Sequence, residues 1–412
     1  MTATVPETDL DLPDFSDPKT FADDVPHAAF DKIRELPGLY WQPSNYGTFT
    51  DGFWMVTRFA DIQNIERRSK EITCRYGFNF PMPGVAEPEQ ETDMWGALLM
   101  RMDPPVHSRV RRAAAASFGP RVVANFEQWV RDVVDEVLDD TLLDDEFDWV
   151  EKVAKYVPSR VIAQILGVPR SRREDIVKWV DAIFHVAQYD DAGTRMLGIA
   201  AEIFAYIGEL QAEKLKDPKD DVTTVMAQYA ERGEITQEEF VFFIFLCMVA
   251  GYETTHTLIG QMMRMMVEDE HVYTTSVEYL QKGESAPLVD EFLRFITPAM
   301  NMARRATEDL ELDGTLVRKG ECIQMQFVAA NRDPAVFADP HVFNPGRTEK
   351  KNLTFGSGPH GCIGHSLAKL EGRILLEQLL KRDVRLELAG QPRRGNSTWI
   401  NQLFALPVRV IR

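Results

Sequence analysis

Cysteine is scarce in this chain, and its few cysteines stand far apart. The four are Cys74, Cys247, Cys322 and Cys362, and no two of them form a CxxC pair. Disulfide frameworks and structural zinc sites depend on clustered cysteines, so this spacing disfavours both. Unpaired thiols fit a reducing compartment, and the sequence therefore predicts a cytoplasmic protein.

Positive charge is also in the minority. The chain has 46 Lys and Arg against 64 Asp and Glu, and this net charge of −18 argues against nucleic acid as a partner. Basic residues nevertheless gather in one early segment and around Cys362: Arg109, Arg111, Arg112, Lys350, Lys351, Lys369 and Arg373. Such patches can steer an acidic partner protein, or each residue can be an ordinary solvated cation.

Long apolar runs are missing as well. The first nine residues carry neither a basic start nor an apolar stretch, and the longest apolar run, residues 240–250, is too short to cross a bilayer. We therefore expect no membrane association. The 412 residues contain no repeat and no Gly/Ser linker, although their number alone suggests two or three domains.

Helical patterns dominate what the sequence does contain. Residues 120–266 are almost entirely helical in pattern, and Thr236 with Glu239 forms a capping box that predicts the start of a long helix. This helix is expected to end near Met266. Before this region, residues 52–58 have the pattern of a strand, and a helix is predicted from Phe59.

An irregular segment rich in proline lies between Arg75 and Met100. A loop of this length inside a compact protein is often functional. Its apolar residues either line a pocket or only anchor the loop to the core: Phe78, Phe80, Met82, Trp95, Leu98 and Leu99.

The most informative segment is the glycine-dense stretch of residues 355–364, which contains Cys362 and precedes a helical pattern. A cysteine just before a helix has its thiolate favoured by the helix dipole and by unpaired N–H groups. Glycines allow those N–H groups to turn towards the sulfur and a flat ligand to approach the main chain. A thiolate held in this way suits an axial ligand of haem iron.

This stretch resembles the haem-binding signature of the cytochrome P450 family, Phe-x-x-Gly-x-(His/Arg)-x-Cys-x-Gly. The matching residues are Phe355, Gly358, His360, Cys362 and Gly364. The resemblance implies haem b as the cofactor and Cys362 as the ligand of its iron. It also implies that Phe355, Gly356 and Gly364 belong to the loop that binds the haem.

A second motif interrupts the long helix at Ala250-Gly251-Tyr252-Glu253-Thr254. Glycine costs about 1 kcal/mol in a helix interior, and a mid-helix threonine can return its hydroxyl to the carbonyl four residues back. The segment resembles the family's oxygen-activating motif, (Ala/Gly)-Gly-x-(Asp/Glu)-Thr. The resemblance implies that Ala250 and Gly251 make room for oxygen, while Thr254 and Glu253 bind it and deliver protons.

Further family positions supply a structural network and the partners of the haem propionates. Glu291 and Arg294 match the family's Glu-x-x-Arg pair, and Arg332 resembles the residue that completes this network. His107 and Arg111, four residues apart on one helix face, resemble propionate-binding residues. Two more residues resemble the remaining propionate partners: Arg304, with Arg305 as the alternative, and His360.

The resemblance runs from about Phe53 to the C-terminus. It implies a mainly α fold with a small β region, in which the haem lies between the long central helix and the cysteine loop. Residues 51–412 would form one catalytic domain, and residues 1–50 an N-terminal extension that wraps it. Besides the loop residues already named, the substrate pocket is expected to include Val249, Ala299, Met300, Leu403 and Phe404.

The expected function is that of a monomeric haem-thiolate monooxygenase. It would hydroxylate an apolar small molecule (a terpenoid, a steroid, or an alkyl or aromatic hydrocarbon) with O2. Electrons would come from a ferredoxin and its reductase, because the chain carries no dinucleotide-binding fingerprint of its own. A peroxide-driven peroxygenase and a non-catalytic haem sensor or ligand carrier are the alternatives, and the intact Glu253-Thr254 pair argues against both.

Overall fold

The structure is a computed structural model, and it describes residues 10–44, 52–76, 94–185 and 192–411. Helices dominate these ranges, as predicted. In chain order they are α1 (His27–Glu35), α2 (Phe59–Ile65), α3 (Val106–Ala115), α4 (Pro120–Asn125), α5 (Glu127–Thr141), α6 (Tyr156–Ile165), α7 (Arg173–His185), α8 (Ala192–Lys216), α9 (Val222–Glu231), α10 (Gln237–Glu268), α11 (Glu270–Gln281), α12 (Ser285–Ile296), α13 (Phe327–Ala330) and α14 (His365–Lys381).

The strands are short and form small sheets at the margin of the helices. They are β1 (Tyr40–Pro43), β2 (Gly52–Val56), β3 (Ile72–Thr73), β4 (Glu146–Asp148), β5 (Asn301–Ala306), β6 (Leu310–Leu312), β7 (Thr315–Val317), β8 (Cys322–Gln326), β9 (Arg385–Leu388), β10 (Arg393–Arg394), β11 (Leu403–Ala405) and β12 (Pro407–Ile411). The largest sheet has the order β1-β2-β8-β5-β3, with β2 and β8 parallel and the other neighbours antiparallel. The predicted strand and following helix correspond to β2 and α2.

Helix α10 is the long central helix that the capping box predicts. The Thr236 hydroxyl accepts from the Glu239 N–H, and the Glu239 carboxylate accepts from the Thr236 N–H. Its 32 residues correspond to about 48 Å at 1.5 Å per residue. By length and composition α10 could cross a membrane, so the shortness of the apolar run at residues 240–250 does not exclude a membrane span. However, 67% of the most apolar window of this helix is buried inside the protein. Burial of this kind is typical of a core helix.

The N-terminal residues pack as part of the same core. Phe15, Phe21 and Phe30 share a buried cluster with Phe53 of β2 and Val328 of α13. Strand β1 extends this packing, because it pairs with β2 over four residues. The described part of the N-terminal segment is therefore held by the sheet and by apolar contacts.

A buried ionic network braces the region between α12 and the cysteine loop. Glu291 accepts two hydrogen bonds from Arg294, at 2.8 and 2.9 Å, and one from Arg347 Nε at 2.9 Å. The prediction that Arg332 completes this network is wrong, because Arg347 occupies that position. The Arg332 side chain is turned away, because its Nη2 donates to the Phe295 carbonyl and its guanidinium stacks on the Phe295 ring.

Candidate active site

The middle of α10 faces an internal cavity. Between residues 242 and 263 of this helix every residue is buried except Leu246, Val249, Ala250, Gly251 and Thr254. Leu246, Ala250 and Thr254 are four residues apart and therefore share one face of the helix. A partly accessible stripe in an otherwise buried helix marks the wall of a cavity.

Cys362 lies at the opposite wall. Its side chain is accessible, yet burial is the largest influence on its thiol and raises the pKa. The two observations agree if the sulfur faces an enclosed space rather than the outer surface. Burial and the charge of Cys362 together raise the pKa of Cys247 on α10, so the two sulfurs lie near each other.

The loop around Cys362 has the geometry that its glycines predict. The Cys362 N–H donates to the Phe355 carbonyl at 2.8 Å, which closes the loop just before α14 begins. The N–H groups of Gly364 and His365 point at the sulfur and lower its pKa, and so does the charge of Arg111. The main chain therefore favours a thiolate at this position, against the effect of burial.

Glu66, at the end of α2, holds this loop in place, and sequence reasoning missed it. Its carboxylate accepts hydrogen bonds from both the N–H and the hydroxyl of Ser357 and forms a 3.4 Å ion pair with Arg304. Gly358 has a φ of +63°, and a Cβ there would lie 2.8 Å from the Glu66 carbonyl oxygen. Nothing local in the sequence links Glu66 to residues 357 and 358, because the contact is purely tertiary.

The residues predicted to bind propionates gather beside this loop. The rings of His107 and His360 are 4.0 Å apart, and Arg111 Nη2 donates to the Gly361 carbonyl. Burial lowers the pKa of His107 to about 4, and the charges of Arg111 and Arg304 contribute. Burial, and then the charge of Arg304, lower the pKa of His360, so Arg304 rather than Arg305 lies at the site. Arg305 instead stacks on the Tyr76 ring.

This group of side chains fits a bound haem. Both ring nitrogens of His107 are buried and have no hydrogen-bond partner among the described residues. Buried polar atoms are normally paired, so unpaired nitrogens point to a missing ligand. Arg111, Arg304 and the two histidines supply cations and donors for two carboxylates, and the accessible sulfur between them and α10 supplies a ligand for iron.

The motif in α10 is arranged partly as predicted. The Thr254 hydroxyl donates to the Ala250 carbonyl at 2.9 Å, as the sequence suggests. Gly251 has a different role, because a Cβ there would lie 2.9 Å from Ile162 Cδ1 of α6. Its missing side chain allows two helices to approach, so the structure gives no support to its making room for a ligand.

Glu253 is buried, and its partners are residues that sequence reasoning did not select. Gln402 Nε2 donates to Oε1 at 3.1 Å, and His256 Nδ1 lies 3.5 Å from Oε2. Neighbouring Tyr252 donates to Asp181 at 2.9 Å and stacks on His256 with ring centroids 5.6 Å apart. The spacing of Glu253 and His256 at i and i+3 is the one sequence signal that could have found this contact.

An aromatic cluster packs against the N-terminal half of α10. Trp95 packs against Phe204 of α8 and against Phe242 and Phe245 of α10, with ring centroids 5.0–6.4 Å apart within the cluster. Leu98 is buried in the main core, whereas Val249 and Ala299 are partly accessible. Three further predicted pocket residues lie outside the described residues: Phe78, Phe80 and Met82.

The other predicted pocket residues have packing roles. Met300 belongs to the buried cluster of the N-terminal segment, and Leu403 lies within 4 Å of where a Cβ of Gly260 would be, beside Val150. Phe404 is covered by the guanidinium of Arg393 at 5.5 Å. These contacts do not support the prediction that Met300, Leu403 and Phe404 line the substrate pocket.

Comparison with known proteins agrees with this geometry. A family model described as "Cytochrome P450" matches residues 285–400. The putative cytochrome P450 YjiB of Bacillus subtilis (strain 168) is 31% identical over 335 residues, which cover 79% of this chain and 81% of that protein. The chain belongs to the cytochrome P450 family. This P450 therefore binds haem b, which family members hold through a cysteine thiolate.

Two further comparisons define its fold and activity. The steroid C26-monooxygenase of Rhodococcus jostii (strain RHA1) is 29% identical over 395 residues, covering 94% of this P450 and 82% of that enzyme. The structure of cytochrome P450-153 from Novosphingobium aromaticivorans has a TM-score of 0.85 at 26% identity, covering 97% and 99% of the two chains. The predicted P450 fold is confirmed, and the protein is a monooxygenase that uses O2 on apolar substrates.

Proposed function

We propose that Cys362 is the haem-iron ligand of this P450 and that His107, Arg111, Arg304 and His360 hold the propionates. The observation that carries this assignment is the accessible sulfur inside the protein, with N–H groups aimed at it and unpaired histidine nitrogens beside it. Phe355, Gly356 and Gly364 shape the loop that receives the ring. When bound, haem supplies the iron at which O2 is activated.

The test replaces the sulfur. Cys362→Ser should abolish the thiolate-type Soret band of the reduced CO complex, because a hydroxyl is not a thiolate donor. Cys322→Ser is the matched control, since Cys322 is buried in the N-terminal cluster and should leave the band unchanged. An unaltered spectrum in Cys362→Ser would overturn the ligand assignment.

Thr254 and Glu253 are proposed to deliver protons to the oxygen-binding side of the cavity. Thr254 is one of the partly accessible residues of α10, and its hydroxyl is held by the Ala250 carbonyl. Glu253 is buried next to it and already has a donor in Gln402. The carboxyl of Glu253 and the hydroxyl of Thr254 stand at adjacent positions, and together they can pass a proton towards the cavity.

The substrate is proposed to be a steroid or terpenoid. The described residues on and beside α10 are apolar and aromatic: Val249 and Ala299 are partly accessible, and Trp95 packs on Phe242. Apolar pockets bury the hydrocarbon body of a ligand and use few polar groups to orient it. The relative that acts on a steroid supports this class. A panel of steroids, terpenes, fatty acids and alkylbenzenes, scored by the low-to-high-spin shift, tests it, and a response to fatty acids alone would reject it.

A ferredoxin-type protein is proposed as the electron donor. Arg112 follows Arg111, which contacts the Cys362 loop, and Lys351 precedes that loop. Both side chains are exposed and have no ion pair among the described residues. Other cations near the loop are committed to pairs, such as Lys369 with Asp290 at 2.7 Å and Arg373 with Glu127 at 2.8 Å.

Charge reversal distinguishes this docking surface from ordinary solvated cations. In the double variant Arg112→Glu/Lys351→Glu, an acidic ferredoxin should reduce the haem at least tenfold more slowly than in the unsubstituted protein at low salt. The difference between the two rates should shrink as the salt concentration rises. Arg409→Glu, an exposed position on β12, is the control. Equal rates in all three proteins would reject the surface.

We further propose that the enzyme acts as a cytoplasmic monomer. Size-exclusion chromatography tests its oligomeric state.

A further inference from the structure

A cluster of basic side chains lies buried where the N-terminal helix meets the body of the protein. We call His27 and Arg34 of α1, Arg332 after α13 and Arg394 of β10 the basic cluster. Arg332 is 4% exposed, and the side chains of Arg34 and Arg394 are 8% and 6% exposed. His27 and Arg34 are seven residues apart and share one face of α1, and the Ala329 carbonyl accepts from both Arg34 Nη2 and the Arg332 N–H. Arg394 lies 3.5 Å from Asp24, three residues before His27. Burial, and then the charges of Arg332, His341, Arg34 and Arg394, lower the pKa of His27 well below its usual value.

The cluster carries more hydrogen-bond donors than its surroundings accept. Five buried nitrogens of guanidinium groups and one of an imidazole have no hydrogen-bond partner among the described residues: Arg34 Nε, Arg332 Nε, Arg332 Nη1, Arg394 Nε, Arg394 Nη1 and His27 Nδ1. Of the other guanidinium nitrogens, Arg332 Nη2 donates to the Phe295 carbonyl and Arg394 Nη2 donates to Asn401 Oδ1. Unpaired buried donors in one place usually mark an ion or water that the protein binds.

Among the described residues, no carboxylate forms a hydrogen bond with Arg332 or Arg394. Asp31 accepts from Arg34 at 2.6 Å and from His341 at 2.9 Å, so its position is set by those two partners. Asp24 is 3.5 Å from Arg394, but its side chain is 63% exposed and is shared with Arg264 at 3.8 Å. Burial and the charge of Arg294 lower the pKa of Arg332 to about 9, and the charges of Asp24, Glu291 and Asp31 offset this only in part.

We propose that the basic cluster binds a small inorganic anion of the halide type. An anion accepts hydrogen bonds from every side and pairs with the buried guanidinium groups, whereas a water molecule accepts only two hydrogen bonds. The site would join three distant parts of the chain, because α1, the residue after α13 and β10 each contribute a donor. Its role would be to fix the N-terminal helix to the sheet region.

Bromide is the direct probe of this site. Crystals of the haem-loaded protein grown without halide and soaked in sodium bromide should show an anomalous peak within hydrogen-bond distance of Arg332 Nη1 and His27 Nδ1. A map without a peak among these side chains would overturn the proposal. The measurement does not depend on turnover, so it stands apart from the tests of the haem ligand and of the electron donor.

Stability in solution provides the second measurement. Sodium chloride should raise the thermal midpoint above that in sodium gluconate at equal ionic strength, by about 2 °C or more, because the anion binds the folded state alone. Arg394→Gln should lose this difference. Arg393→Gln, one residue away and exposed, should keep it. Equal midpoints of the unsubstituted protein in the two salts, or the same chloride effect in Arg394→Gln, would show that no anion binds here.

Discussion

Replacing Glu291 by glutamine should cost more stability than almost any other conservative change in this protein. The carboxylate accepts four hydrogen bonds, two from Arg294, one from Arg347 and one from the Asn344 N–H. The side chains of these ionic partners are between 1% and 7% exposed. Glutamine keeps the volume, but it turns one acceptor into a donor that faces other donors and leaves two buried guanidinium groups without a counter-charge.

Removing one partner of a buried ion pair costs about 3–5 kcal/mol. Unfolding entropy is about 2.1 cal/mol/K per residue, so a chain of 412 residues loses about 1 °C per kcal/mol, and the thermal midpoint should fall by about 3–6 °C. The assay is thermal unfolding of the haem-loaded protein, followed by circular dichroism and by the Soret band at one fixed scan rate. Because unfolding of a haem protein is often irreversible, only differences between variants at that rate are compared.

Glu387→Gln is the control for this prediction. Glu387 pairs with Arg409 at 3.4 Å, and both side chains are about half exposed, at 51% and 52%. Pairs of this kind contribute under about 1 kcal/mol, so the midpoint should change by no more than about 1 °C. If the two variants lose equal stability, burial of the Glu291 network contributes nothing, and the argument for it is wrong.

Three further predictions concern the cavity, the cysteine loop and α14. Thr254→Ala should leave NAD(P)H consumption running while product falls and peroxide rises; tight coupling in this variant would remove Thr254 from proton delivery. Gly358→Ala should lose haem on gel filtration, because of its positive φ and the 2.8 Å approach to Glu66, whereas Gly233→Ala (φ +71°, no neighbour within 4 Å) should retain it. Burial raises the pKa of Glu371 well above its usual value, so the folded state keeps a proton that the unfolded state releases above about pH 4.5. Stability is then lost as pH rises, and the advantage of Glu371→Gln in urea unfolding should grow from pH 5 to pH 8; a constant difference would contradict it.

Local signals in the sequence predicted the parts of the structure that local physics decides. The capping box at Thr236 and Glu239 set the start of α10, and the hydroxyl-to-carbonyl bond of Thr254 followed from its mid-helix position. The glycine pattern around Cys362 predicted the N–H groups that point at the sulfur. In each case the interacting groups lie within a few residues of one another.

The parts that the sequence did not reveal depend on contacts between distant segments. Arg347 and Arg332 are both plausible partners for Glu291 by position, and only the packing of Arg332 on Phe295 separates them. Gly251 looked like room for a ligand because Ile162 of α6 cannot be placed from sequence. The same applies to Gln402, which reaches Glu253 from 149 residues away.

The hold of Glu66 on Ser357 has a consequence for biosynthesis. The two residues are 291 positions apart, and the ribosome makes the carboxylate long before its hydroxyl partner emerges. The loop of Cys362 therefore cannot take its final conformation until residues 66 and 357 have both been synthesised, even though its glycines permit that conformation. Haem should therefore bind only late, after synthesis is nearly complete. Chains that are released from the ribosome too early should be unable to retain porphyrin.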